Sequence, residues 1–229
     1  MRGKDSGFFW PSFADLMTSL FFIMLVLYVL TYIQLNEEIK VREEKLAIIT
    51  AVEENLKPLK EDTSLFVYET DYKRFKLSFD VNFEIGQHEL AKGKLKNYDY
   101  TMVKVKRAGL RLKKLIDALY SAKVNNPELK NVSYILVIAG YASYLNPDNQ
   151  WNDYELSYKR AYNLWSYWKD TVHVDFEEKQ YHDLIDLQLT GNGYGGVGRV
   201  ISNGNKALEQ ENQRFIIQIF PKIGDLEGH

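Results

Sequence analysis

The chain has 229 residues, a formal net charge of −2, 26% charged residues and no cysteine. Such a near-neutral balance offers no electrostatic footprint for nucleic acid, and the lack of cysteine excludes disulfides, thiolate metal sites and a cysteine nucleophile. The four histidines, His88, His173, His182 and His229, show no ligand-type spacing.

In chain order the first element is a membrane helix. From Phe13 to Ile33 the only charged side chain is Asp15, and a helix over that stretch is about 31 Å long, enough to cross a bilayer core. The run is longer than a signal-peptide core, and QLNEEIKVREEK follows it where an A-x-A-like site would stand, which predicts an uncleaved anchor. Arg2 and Lys4 on one side nearly balance Lys40, Arg42 and Lys45 on the other, so charge alone does not orient it.

Asp15 admits two readings. On insertion scales an ionised Asp at a helix centre costs roughly 2.5–3.5 kcal/mol, so such groups face protein or water and mark ion pathways. Alternatively, Ser12-Phe13-Ala14-Asp15 after Pro11 has the form of a capping box, which would make Asp15 the finish of a helix N-terminus at the interface. Thr18 and Ser19, about one turn further on, could neighbour an ion path or bond to their own backbone.

Asn36 to Lys60 is charged and reads as a helical stalk that Pro58 helps to end. Ile39, Leu46, Ile49 and Val52 form one narrow apolar stripe on it, which suits either a solvated spacer or pairing with a second copy. In FKLSFDVNFEI, Phe75 to Ile85, apolar and polar residues alternate, predicting one strand with a buried and a wet face. From Lys104 to Tyr120 the spacing becomes helical, with Ala108, Leu112, Leu115, Ile116 and Leu119 on one side. YILVIAG, ending at Gly140, lacks alternation and predicts a central strand covered on both faces. Asn152 to Trp168 is a second amphipathic helix, and the alternations at Ile185, Leu187, Leu189 and at Phe215, Ile217, Ile219 predict two more strands.

The order β-α-β-α-β-β predicts an α+β fold, a two-layer α/β sandwich. The expected organisation is an N-terminal segment 1–12, a membrane helix 13–34, a stalk 35–63, a folded domain 64–222 and a tail 223–229. TGNGYGGVGR holds Gly191, Gly193 and Gly196 in a G-x-G-x-x-G pattern. A dinucleotide site would need a helix to follow, and RVISNGNKALEQE, with Asn203-Gly204 inside it, predicts instead a glycine loop crossing the sandwich and a surface excursion from Gly198 to Gln210. No nucleophile, base and orienting group stand out as a set, so an enzyme is not expected.

FWPSFADLMTSLFFIMLVLYVL resembles the membrane segment of the MotB-type subunits of ion-driven rotary motors, through Trp10, Phe13, Ala14, Asp15, Leu16, Met17 and Thr18. The resemblance implies that Asp15 accepts and releases the translocated proton or sodium ion, with no other cofactor. It further implies that two copies sit inside a ring of a multi-pass MotA-like partner, with the amino terminus cytoplasmic and the folded domain periplasmic.

From about Ser64 to Lys222 the chain resembles the OmpA-like peptidoglycan-associated domain. IAGYAS is similar to its strand-Gly-aromatic-Thr-Asp element, Leu156, Ser157, Arg160 and Ala161 to its Leu-Ser-x-x-Arg-Ala helix, and Asn212 and Arg214 to its Asn-Arg-Arg strand. In that family an acidic residue and an arginine hold the charged diaminopimelate end of the stem peptide. Here the Thr-Asp falls on Ala142 and Ser143, the helix-entry Asn on Asp153, and one of the paired arginines on Gln213. The resemblance makes Arg214, Asn212, Asp153, Arg160 and Ser143 candidate peptidoglycan contacts, with Asp153 or Asp148 in place of the lost carboxylate. The altered motif is closer to non-flagellar relatives such as the Zorya anti-phage systems, where the ring partner would signal to cytoplasmic effectors. The alternatives are a flagellar stator and an inert peptidoglycan tether.

Overall fold

The structure is a computed structural model that describes residues 9–143 and 150–223. It divides into two units, Met1–Ala47 and Ile48–His229. Helix α1, Phe9–Glu61, begins in the first and ends in the second.

Ser12 already lies inside α1. A capping box needs its Ser outside the helix with non-helical backbone, so that expectation fails and Asp15 is a side chain of the helix body. Pro11 is tolerated because the first turn lacks carbonyl partners for its missing N–H. At the other end α1 continues past Pro58 to Glu61. Ile48, Leu56 and Leu59 are only 4%, 8% and 1% exposed, so the last turns belong to the domain core and not to a solvated stalk. Ile39, Leu46 and Ile49 are exposed; the side chain of Val52 is not among those described.

The domain is a two-layer α+β structure, as expected. Its sheet contains β1 (Phe66–Glu69), β2 (Arg74–Leu77), β3 (Val132–Gly140), β4 (Ile185–Gly191) and β5 (Phe215–Ile223). They lie in the order β1-β2-β5-β3-β4. Strands β3 and β4 are parallel, joined through helix α3 (Gln150–Ser166), and the other pairs are antiparallel. Helix α2 (Tyr98–Asn125) and α3 cover one face, where Leu112, Ile116, Ala161, Leu164 and Trp168 meet Leu136, Ile138 and Ile217 in one core. A short helix α4, Lys206–Gln210, precedes β5.

Three expectations need correction. The strand predicted from Phe75 to Ile85 ends at Leu77. Phe79, Val81 and Phe83 are buried as their alternation predicts, but Ile85 is 81% exposed, and only an isolated bridge between Phe83 and Leu95 follows. Side-chain period and ladder pairing are separable: past Leu77 no neighbouring strand supplies the hydrogen bonds. The short β1, which hairpins onto β2 with Phe66 opposite Leu77, was not predicted. In β3, Tyr134, Leu136 and Ile138 are buried while Ser133, Ile135 and Val137 are half-buried. The strand alternates after all, because helices cover only one face, and both sides close over only at Ala139 and Gly140.

Candidate functional site

Two places gather the candidate residues, one in each unit. In α1, Asp15 and Ser19 stand one turn apart with Ser12 on the same side, and all three are exposed on the helix surface. Thr18 donates its hydroxyl proton to the Ala14 carbonyl at 2.7 Å, a bond to its own helix. The apolar stretch around them is long and hydrophobic enough to span a membrane, and among the described residues none of that stretch is buried.

The second place is where β3 ends and α3 begins. Arg160, 1% exposed, uses three of its five N–H groups internally. Nε and Nη2 donate to the Gln87 carbonyl at 3.2 and 3.1 Å, and Nη1 donates to the Tyr141 carbonyl at 3.1 Å. One N–H is left on each terminal nitrogen. Its guanidinium lies 4.3 Å from the centre of the Phe83 ring. Burial pushes Arg160 down to about 10, so it is still charged at neutral pH. Two turns earlier on the same helix, Asp153 is 5% exposed, and its Oδ2 is buried without a hydrogen-bond partner. A buried carboxylate oxygen left unpaired is costly, and an incoming ammonium would relieve it.

Backbone contact fixes this geometry. A Cβ on Gly191 would lie 2.5 Å from the Tyr158 nitrogen and 2.7 Å from the Tyr154 carbonyl oxygen, and one on Gly140 would overlap the Ser157 carbonyl oxygen. The two glycines therefore let α3 sit directly on the ends of β3 and β4. Ser157 completes the joint: its hydroxyl donates to Tyr154 O and accepts from Gly193 N, both at 2.8 Å.

Two of the three departures from the OmpA-like motif, at Ser143 and Gln213, meet each other. Gln213 Nε2 donates to Ser143 Oγ at 3.0 Å, and Gln213 Oε1 accepts from Phe83 N at 2.9 Å. Where the resemblance implies an acid and a base, this chain has a neutral buried hydrogen bond. Asn212 is also spoken for: its amide both accepts from and donates to the backbone of Val200, at 2.9 and 3.1 Å. Arg214 belongs to a different group. It donates to Gly198 O at 2.6 Å and Val197 O at 3.3 Å and lies over the Tyr141 ring. Arg74 meets the same Val197 oxygen at 2.9 Å. The glycine loop is thus strapped down by two arginines, and no helix opens directly after Gly196, which removes the dinucleotide reading. Asp148 lies outside the described residues. The structure brings Asp153 and Arg160 to one helix and Ser143 to Gln213, and it engages Arg214 and Asn212 with loop backbone. Gln87 and Tyr141 hold Arg160 through backbone carbonyls, a role that any residue type could fill and that therefore leaves no signal in the sequence.

Burial raises the Asp153 carboxyl above its ordinary 3.8, with Arg160 and Arg199 pulling the other way. The folded state therefore holds that proton more tightly than the unfolded state, and ionisation costs stability as pH climbs from the ordinary value through the raised one. Asp153→Asn is expected to raise the melting temperature at neutral pH, with the gain shrinking as pH falls toward the ordinary carboxylate value. Thermal unfolding of both proteins across that range checks it, and an unchanged or lowered melting temperature at neutral pH would contradict it.

No family model matches the sequence, and no curated protein matches it. Among solved structures the chain is similar to a MotB like protein from Desulfovibrio vulgaris, with 16% identity over 77% of this chain and 97% of that one, TM-score 0.41. It is similar to the periplasmic domain of Helicobacter pylori MotB, with 17% identity over 70% and 91% of the two chains, TM-score 0.40. An outer membrane protein from Borrelia burgdorferi B31 matches at 19% identity over 68% and 96%, TM-score 0.37. In this chain an α+β domain and an apolar helix long enough to cross a membrane occur together.

Proposed function

We propose that this chain is the single-helix subunit of an ion-driven rotary motor in the bacterial inner membrane. The observation that carries the reading is Asp15: one carboxylate in the apolar stretch of α1, exposed on the helix surface among the described residues. A proton or sodium ion loads on that carboxylate and leaves it on the other side of a barrier. One elementary charge crossing the potential releases about 2.3 kcal/mol per 100 mV, available as work only if the site alternates between open and shielded surroundings. A ring of a multi-pass partner around a dimer of this chain supplies that alternation. The amino terminus is cytoplasmic and the folded domain periplasmic.

There the domain holds the wall, with Asp153 and Arg160 offering opposite charges to the amino and carboxylate groups of a peptidoglycan stem peptide. The neutral Ser143–Gln213 pair supports a non-flagellar motor of the Zorya anti-phage kind over a flagellar stator. A photo-crosslinking side chain in place of Leu16, in the full-length protein in native membranes, tests the uncovered helix. Adducts to a multi-pass membrane protein are expected, and adducts to lipid alone would contradict the motor.

A further inference from the structure

Helix α3 has a second flank beside the one that carries Asp153 and Arg160. Tyr154, Tyr158, Tyr162 and Trp165 follow one another at steps of four, four and three residues. At 3.6 residues per turn they fall within about 80° of arc, and successive tyrosines rise about 6 Å, so aromatic rings form a straight stripe along the helix. The three tyrosines are 45%, 46% and 46% exposed, and the rings of Tyr162 and Trp165 meet with centroids 5.4 Å apart. A solvent-facing helix flank is ordinarily charged. Of the charges beside this one, Glu155 and Lys159 pair with each other at 2.7 Å, and Lys169, which lies 5.0 Å from the centre of the Trp165 ring, pairs with Asp175 and Glu177.

The chemistry of the stripe selects its ligand. It contains no aliphatic side chain, unlike a flank built to pack against another helix. Each tyrosine presents an apolar ring face and a polar tip, and the hydroxyls of Tyr158 and Tyr162 make no hydrogen bond among the described residues. That combination complements a pyranose, which has an apolar C–H face and a rim of hydroxyl and acetamido groups. The stripe is also continuous with the candidate site. Tyr154 follows Asp153, and its ring packs against Gly193, where a Cβ would lie 3.1 Å from two ring carbons.

We infer that the tyrosine stripe of α3 binds the glycan strand of the wall polymer, a β-linked chain of N-acetylated sugars, while Asp153 and Arg160 take the stem peptide. This rests on the reading of the domain as a peptidoglycan anchor. Both contacts then lie on one helix, so the polymer is gripped by backbone and branch together.

The test uses the full-length protein in detergent and two probes: glycan strands stripped of peptide by an amidase, and the free stem peptide carrying its diamino acid. Replacing both Tyr158 and Tyr162 by Ala is expected to weaken glycan-strand binding about tenfold and leave stem-peptide binding unchanged. Changing both to Phe keeps the rings and is expected to retain most of the affinity. Arg160→Met is expected to do the reverse, losing the peptide and keeping the strand. Equal strand binding by wild type and the Ala variant, with peptide binding intact, would overturn the inference and leave the anchor standing. Failure of the wild type to bind either probe would overturn the anchor reading and the inference with it. A change of oligomeric mass in the Ala variant, with strand binding unaffected, would assign the stripe to a second copy of the chain and also overturn it.

Discussion

Asp15→Asn is expected to abolish ion flux through the complex while leaving its assembly intact. Asparagine nearly matches aspartate in volume and keeps hydrogen-bonding ability, so packing of α1 against a partner changes little. It carries no charge and takes up no proton near neutral pH, so nothing remains to load and release the ion. A neutral amide is also cheaper than an ionised carboxylate in the hydrocarbon region, so insertion is not impaired. The loss should therefore be to background, with the protein at wild-type abundance in the membrane. Asp15→Glu keeps the charge on a longer arm and is expected to retain partial flux. Flux measured in vesicles containing the complex, at matched protein levels, checks both. If the chain served only as a wall tether, wild type and the Asp15→Asn variant would show no difference in flux.

The second large effect lies in the folded α+β domain. Gly140→Ala places a methyl group into the Ser157 carbonyl oxygen, and Gly191→Ala places one 2.5 Å from the Tyr158 nitrogen. Both obstacles are backbone atoms of α3, which cannot rotate away as a side-chain tip can. The helix must lift from the sheet, and the cost is expected to be about 3 kcal/mol or more, the upper range of overpacking. For a chain of this size that is a fall in melting temperature of roughly ten degrees. Gly204→Ala is the contrast: nothing lies within 4 Å of its Cβ, and only the positive φ of +86° is strained. It is expected to cost about 1 kcal/mol. Thermal unfolding of the three variants checks the ranking, and equal melting temperatures for Gly140→Ala and Gly204→Ala would contradict it.

The parts of this molecule legible in its sequence are those where one physical signal decides. Asp15 stands out because a charge within an apolar run is costly, and α2 and α3 because their apolar residues recur at helical spacing. The segment from Ser78 to Lys96 misled because Phe79, Val81 and Phe83 alternate like a strand, yet alternation reports burial and not pairing. The four-residue β1 was too short to show a period. Residues 48–61 read as a charged spacer because their acidic and basic residues dominate, while Ile48, Leu56 and Leu59 bury one face. At the candidate site, Asp153 and Arg160 were found through the helix motif. Their setting was not, since Gln87 and Tyr141 contribute carbonyl oxygens that any residue type could supply, from segments brought together only by the fold.

The most direct test of the motor is to recover the full-length chain, tagged at its carboxyl end, from native membranes in gentle detergent and weigh what accompanies it. A multi-pass membrane protein in stoichiometric excess over two copies of this chain is the predicted result. Recovery of the chain alone, or with wall fragments only, under conditions that preserve other membrane complexes, would contradict it and leave Asp15 without a path.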